Sequence, residues 1–192
     1  FEVADLPLFF EVHRLSPFEP RSLDVDVTLD LMIHDLDIVL ALAACPIARV
    51  EASGIPILST QPDIASVRLL FENGCVANLT ASRISTEKVR KLRYFQPRQY
   101  VSVDYARRKG VLIGLDDDNS LIYRPLEPPE REPLASQIEA FLACVRSRAE
   151  PLVSGAKARP VLEAALTIRA EMERHAALVA ETVAAHRAAK RT

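Results

Sequence analysis

The chain has 192 residues, with 24 Lys+Arg against 26 Asp+Glu, a net charge of −2, 49% hydrophobic and 26% charged residues. These proportions belong to an ordinary globular domain and exclude intrinsic disorder, collagen-like repeats and a disulfide-built scaffold. The near-neutral balance leaves no broad electrostatic footprint for nucleic acid, and no nucleic-acid partner is expected.

The chain opens on Phe1 and its only methionines are Met32 and Met172, so it reads as a fragment or a processed product. No cationic segment followed by an apolar core opens it. The longest apolar run, Ile38 to Ala48, falls well short of the ~20 residues a membrane helix needs. A cytoplasmic location without a membrane partner is therefore expected. Leu8 to Val12 reads as a strand, rich in aromatic and branched residues. Ser16 to Val27 is a charged loop carrying Pro17 and Pro20. Thr28 to Ala43 reads as a helix that Pro46 ends, and Ala48 to Ile57 as a second strand.

Asp63 to Ser85 holds two β-rich runs around Asn73-Gly74, a dipeptide suited to a type I′ turn. A two-residue turn there pairs Glu72 with Cys75 and Phe71 with Val76. Ala65, Val67, Leu69 and Phe71 then share one face, and Arg68 and Leu70 the other. Val89 to Gln96 and Tyr100 to Tyr105 follow as strands. Val111 to Leu115 and Ser120 to Tyr123 form a hairpin around Asp116, Asp117 and Asp118. After a proline-rich connector, Pro125 to Pro133, two helices close the chain. The first puts Leu134, Ile138, Phe141, Leu142 and Val145 on one face; the second does the same with Val161, Ala165, Ile168, Met172, Val179 and Val183. Pro160 either starts the second helix or kinks it. This order predicts an α+β fold, a mostly antiparallel open sheet with helices packed on one face. The domain is expected over 1–183, with 184–192 as a frayed tail.

Cys45, Cys75 and Cys144 are odd in number and widely spaced, and read as small buried hydrophobes in a reducing compartment. Gly54, Gly74, Gly110, Gly114 and Gly155 build neither a G-x-G-x-x-G fingerprint nor a P-loop.

The chemistry concentrates in the Thr28–Ala43 helix. It is apolar around most of its circumference, which predicts burial. Yet Asp30, His34 and Asp37 stand at i, i+4 and i+7 and form one polar stripe, while Asp35 points about 100° away from His34. An Asp four residues before a His can orient the imidazole and raise its pKa, which suits a general acid/base. The same two residues could equally satisfy each other as a core pair. With Asp37 they could supply nitrogen and oxygen ligands to a metal, although no second cluster offers the remaining ligands. Ahead of the helix lie His13, Arg14, Ser16, Arg21, Asp24 and Asp26. Arginines beside a His/Asp pair suit an anionic substrate group such as a phosphate, and a solvated charged loop is the plainer reading. A second basic run, Arg83, Lys88, Arg90, Lys91 and Arg93, reads as the polar face of a sheet or as a contribution to a neighbouring substrate pocket.

The stretch Asp30-Leu-Met-Ile-His34-Asp35-Leu-Asp37 resembles the D-x-x-x-H helix of the glucose–fructose oxidoreductase / inositol dehydrogenase / MocA family. The order strand, charged loop, D-x-x-x-H helix, antiparallel sheet and helices resembles that family's C-terminal domain. Pro151-Leu-Val-Ser-Gly155 is similar to its late P-x-V-[ST]-G turn. Leu79 to Arg83, Val89 to Arg93 and Tyr100 to Asp104 look like a subgroup related to UDP-N-acetylglucosamine 3-dehydrogenases. The resemblance implies the substrate-binding domain of an oxidoreductase using NAD or NADP, with the cofactor bound mainly by an N-terminal Rossmann domain that this chain lacks. It implies a sugar or nucleotide-sugar substrate and a homo-oligomer formed through the exposed sheet face. By the motif match, His34 becomes the acid/base and Asp30 its assistant, with Arg14, Arg21 and Asp26 as substrate contacts and no metal. The family's E-K-P lysine is absent, and Glu87-Lys88 is no substitute for it. Two alternatives stand beside this reading. One is a free-standing non-catalytic binding or oligomerisation module of the same fold. The other is a small metal-dependent hydrolase using Asp30, His34 and Asp37.

Overall fold

The computed structural model describes residues 4–21, 23–127 and 131–190. Strand β1 (Phe9–Leu15) takes the centre of an eight-stranded sheet. The others are β2 (Ile47–Ile55), β3 (Ile64–Phe71), β4 (Val76–Ser82), β5 (Val89–Gln96), β6 (Gln99–Asp104), β7 (Lys109–Leu115) and β8 (Leu121–Leu126). The spatial order is β2-β3-β4-β1-β5-β6-β7-β8. Every pairing is antiparallel except that of β1 with β4. That parallel pair arises because the chain leaves β1 through a helix, drops to the sheet edge at β2, and returns by hairpins.

Period-two alternation sets the two faces. Phe10 and Val12 of β1 are buried, as are Ala65, Val67, Leu69 and Phe71 of β3 and Ala77, Leu79 and Ala81 of β4. Leu92, Tyr94, Val101 and Leu112 carry the core into the second half of the sheet. The β3–β4 hairpin departs from the expected register by one residue. Leu70 pairs with Val76, and the loop has three residues, with Gly74 at φ +85°. Phe71 N donates to Cys75 O and Gly74 N to Phe71 O, both at 2.9 Å. This is a turn closed by a left-handed glycine bulge. The reason is the core: only this register sets Val67 opposite Leu79 and Leu69 opposite Ala77. The two-residue turn would have set those apolar side chains against Asn78 and Thr80.

Helix α1 (Ile33–Ala43) follows a π-helical turn, Thr28–Met32, and ends at Ala44, whose φ is 46°. Helix α3 (Gly155–Ala189) is capped by Ser154 and runs through Pro160, so it begins five residues before the proline. Val161, Ala165, Ile168 and Met172 are buried against β2 and α1. The helix continues through residues 184–189, the stretch expected to be a tail. Helix α2 (Pro133–Ser147) behaves differently from the sequence expectation. It is capped by Glu132, but none of its residues is buried, and Leu134, Ile138, Phe141, Leu142 and Val145 stay 43–61% exposed. Among the described residues no helix is long and apolar enough to cross a membrane.

The β2–β3 connection is held by one carboxylate. Asp63 is fully buried. Its Oδ2 accepts from Ile57 N, Leu58 N and Ser59 N at 2.6–2.9 Å, and its Oδ1 accepts from Ser59 Oγ at 2.7 Å. Arg83 Nε lies 3.8 Å from Oδ1. Burial alone would raise its pKa, but these donors outweigh it and hold the group at about 2, against an ordinary 3.8. A depressed native pKa stabilises the fold above the unfolded value and ceases to do so as pH falls through the native one. The difference is worth about 2 kcal/mol. Denaturant titrations should therefore show the wild type losing about 2 kcal/mol more than Asp63→Asn between pH 5 and pH 2. Parallel losses in the two proteins would show that Asp63 titrates normally.

Candidate functional site

The end of β1, the end of β4, the start of β5 and the opening of the Thr28–Ala43 helix meet on the helix-covered side of the sheet. Asp26 starts that helix. It is buried, and its Oδ1 accepts from Thr28 N at 2.8 Å and Leu29 N at 3.3 Å, satisfying amides that a helix start leaves unpaired. Its Oδ2 faces Arg169 Nε of α3 at 3.8 Å. The structure thus engages Asp26, one of the expected substrate contacts, in holding the helix.

The π-helical turn comes next, with Ile33 N donating to Thr28 O. Such a turn rotates what precedes it relative to the α-helix that follows. Asp35 points inward, and Arg14 Nε and Nη2 donate to its two oxygens at 2.5 and 2.8 Å. Their side chains are 12% and 4% exposed. This is a fork-to-fork pair. Burial opposes the Arg14 charge, but the bonds to Asp35 and its field more than offset that, and the guanidinium is held above its ordinary pKa. Tyr105 lies in the same field. Loss of hydration first, and then the Asp35 carboxylate, push its hydroxyl up to about 12 against the opposing pull of Arg14, so it is a neutral donor at physiological pH. Sequence reasoning missed this pair. The signal was available: a carboxylate on the buried side of an apolar helix requires a cation.

Arg14, Arg21, Asp30, Arg83, Lys88 and Arg90 line one narrow cleft. Arg21 is exposed and pairs with Glu19 at 3.0 Å. Arg83 is buried and donates to Val25 O at 2.5 Å. Three of the expected site residues, Arg14, Arg21 and Asp30, therefore share a wall-to-wall setting. His34 does not join them. It is exposed, and lines a shallow hollow with Ile33, Asp37 and Ile38 of α1 and Val153, Ala158 and Val161 at the head of α3. Among the described residues no hydrogen bond joins Asp30 to His34, and no three His, Cys, Asp or Glu side chains are gathered to hold a metal ion. His13 alternates onto the opposite sheet face, between Thr80 and Lys91.

A family model described as the GFO/IDH/MocA C-terminal domain matches residues 12–101. The UDP-N-acetylglucosamine 3-dehydrogenase of Acidithiobacillus ferrooxidans is 37% identical over an alignment of 175 positions that covers 87% of this chain and 55% of the relative. The solved structure of UDP-N-acetylglucosamine 3-dehydrogenase GnnA from that organism aligns with a TM-score of 0.84 at 35% identity, over 91% of this chain and 56% of its own. A levoglucosan dehydrogenase in complex with NADH and L-sorbose shares the fold, with a TM-score of 0.77 at 13% identity over 90% and 58%. The chain spans little more than half the length of these relatives.

The buried pair makes a definite claim on stability. Asp35→Ala leaves the Arg14 guanidinium buried without its counter-charge, and should cost about 3–5 kcal/mol in denaturant unfolding. Arg14→Met with Asp35→Leu removes both charges and should recover most of that loss. A double variant as unstable as the single one would show that shape, not charge, holds the helix to β1.

Proposed function

The chain carries the C-terminal domain of the GFO/IDH/MocA family, and from that premise we propose that it is the substrate-binding domain of an oxidoreductase acting on a sugar or nucleotide-sugar hydroxyl. The observation that carries the reading is the setting of the D-x-x-x-H helix. Asp35 anchors it inward on Arg14, while Asp30 lines a cation-walled cleft and His34 stands open to solvent one turn on. A proton acceptor must reach the substrate hydroxyl, and an exposed imidazole on an anchored helix can do so. His34 takes the hydroxyl proton, and Asp30, on the π-helical turn before it, contacts the substrate from the cleft side.

The described residues do not fit a dinucleotide. The sheet meanders instead of alternating with helices, and the five glycines make no phosphate-cradling loop. NAD or NADP, the hydride acceptor in this proposal, is therefore assigned to a separate nucleotide-binding domain. The length of the relatives supports such a partner. So does α2, whose unburied Leu134, Ile138, Phe141, Leu142 and Val145 offer an apolar face for it to cover.

The sheet face away from the helices supports a homo-oligomer. The cross-strand row Phe9, Phe95, Tyr100, Ile113 and Tyr123 lies there, with ring centroids 5.8 Å apart for Phe9–Phe95 and 5.0 Å for Phe95–Tyr100. Tyr123 is 67% exposed. Ion pairs Arg93–Glu11 and Lys91–Asp104 share the face. Aromatic side chains are enriched at the cores of interfaces, with polar groups at the rim.

In the intact protein, assayed with a nucleotide sugar and NAD or NADP, His34→Asn should lower kcat by ~10²–10⁴-fold. Its melting temperature should not move, because the side chain is exposed. Unchanged turnover would overturn the assignment of His34, and no turnover in the wild type would favour the non-catalytic binding module.

A further inference from the structure

The cations of the cleft divide into two groups. Arg14 is neutralised by Asp35, Arg83 sits against Asp63, and Arg21 against Glu19. Lys88 and Arg90 have no carboxylate within ion-pair distance among the described residues. Arg90 lies on β5 and Lys88 immediately before its first residue, and both line the cleft that Asp30 also lines. Arg90 is also the direct cross-strand neighbour of Arg14. Like charges directly opposite each other destabilise a sheet. The fold relieves one of the two guanidinium groups with Asp35 and leaves the other with its charge unspent.

The cleft thus offers two cations without a carboxylate partner among the described residues, which suits an anionic group such as a phosphate. Its lining also carries the carboxylates of Asp30 and Glu19, the second paired with Arg21, so an anion is drawn to Lys88 and Arg90 and turned away from Asp30, which orients whatever carries it.

We propose that Lys88 and Arg90 form an anion subsite that takes a phosphoryl group of a nucleotide sugar's diphosphate and thereby fixes which hydroxyl reaches His34. This deepens the substrate class of the proposed function and rests on that reading. A nucleotide sugar carries its phosphate on the anomeric carbon and its reacting hydroxyl across one ring.

The test uses the intact protein and two probes, UDP and inorganic pyrophosphate, with binding measured by calorimetry as salt is raised. Arg90→Gln and Lys88→Gln should each weaken UDP roughly tenfold, the loss of one charge-assisted bond, and should flatten the salt dependence. KM for the nucleotide sugar should rise by a similar factor with kcat little changed. Arg93→Gln is the control, since that cation lies on the same strand but points to the opposite face. Lys88 is exposed, so Lys88→Gln decides the matter if Arg90→Gln fails to fold. Unaltered UDP binding in the folded variants, or an equal loss in Arg93→Gln, overturns the subsite. The two readings fail separately. A wild type that binds UDP through Arg90 yet oxidises no nucleotide sugar keeps the subsite and loses the proposed activity. Turnover with an unchanged KM in both variants does the reverse.

Discussion

The buried pair between Arg14 and Asp35 fixes the relation between the central strand and the helix above it. β1 lies at the centre of the sheet, hydrogen-bonded on both edges, parallel to β4 and antiparallel to β5. Whatever is attached to its end is therefore placed by the whole sheet. Arg14 is attached there, and its fork closes on a carboxylate of α1. The hydrophobic contacts of Leu36 and Val39 would press this helix onto the sheet, but such contacts are non-directional and tolerate sliding. Two parallel charge-assisted bonds do not. They set the rotation of the helix, and with it the direction of every polar side chain that the helix carries.

That rotation explains the separation of roles along one short segment. Asp26 closes the start of the helix, Asp35 is spent on the anchor, Asp30 faces the cleft and His34 faces outward. Four ionisable residues within ten positions do four different things: Asp26 precedes the helix, Asp30 lies in the π-helical turn among arginines, and His34 and Asp35 on α1 point about 100° apart.

This is also where the sequence was legible and where it stopped being so. Period two in β3, β4 and β5 and the apolar spacing of α3 were readable, because each depends on one side of an element meeting one core. The hairpin register was not, since Asn73-Gly74 suits both a two-residue and a three-residue loop. The choice is made by Leu79 and Ala77 meeting Val67 and Leu69 across the strands, which no local rule contains. The stripe of Asp30, His34 and Asp37 rested on 3.6 residues per turn, and a single π turn altered it. Pro160 left two readings, a helix start or a kink, and the helix that Ser154 caps starts earlier and runs through it.

The face of α2 completes the argument by what it lacks. Its five apolar residues follow the helical period as cleanly as those of α3. Periodicity, however, reports only that a face is to be covered, not what covers it. The sheet already has its helical layer in α1 and α3, and α2 finds no room in it. His34 is in the same position chemically. It has an anchored helix beneath it and no hydrogen-bond partner above it among the described residues. The domain holds its Asp and Arg pairs inside and leaves the His34 imidazole and one whole apolar helix face outside, where another surface can reach them.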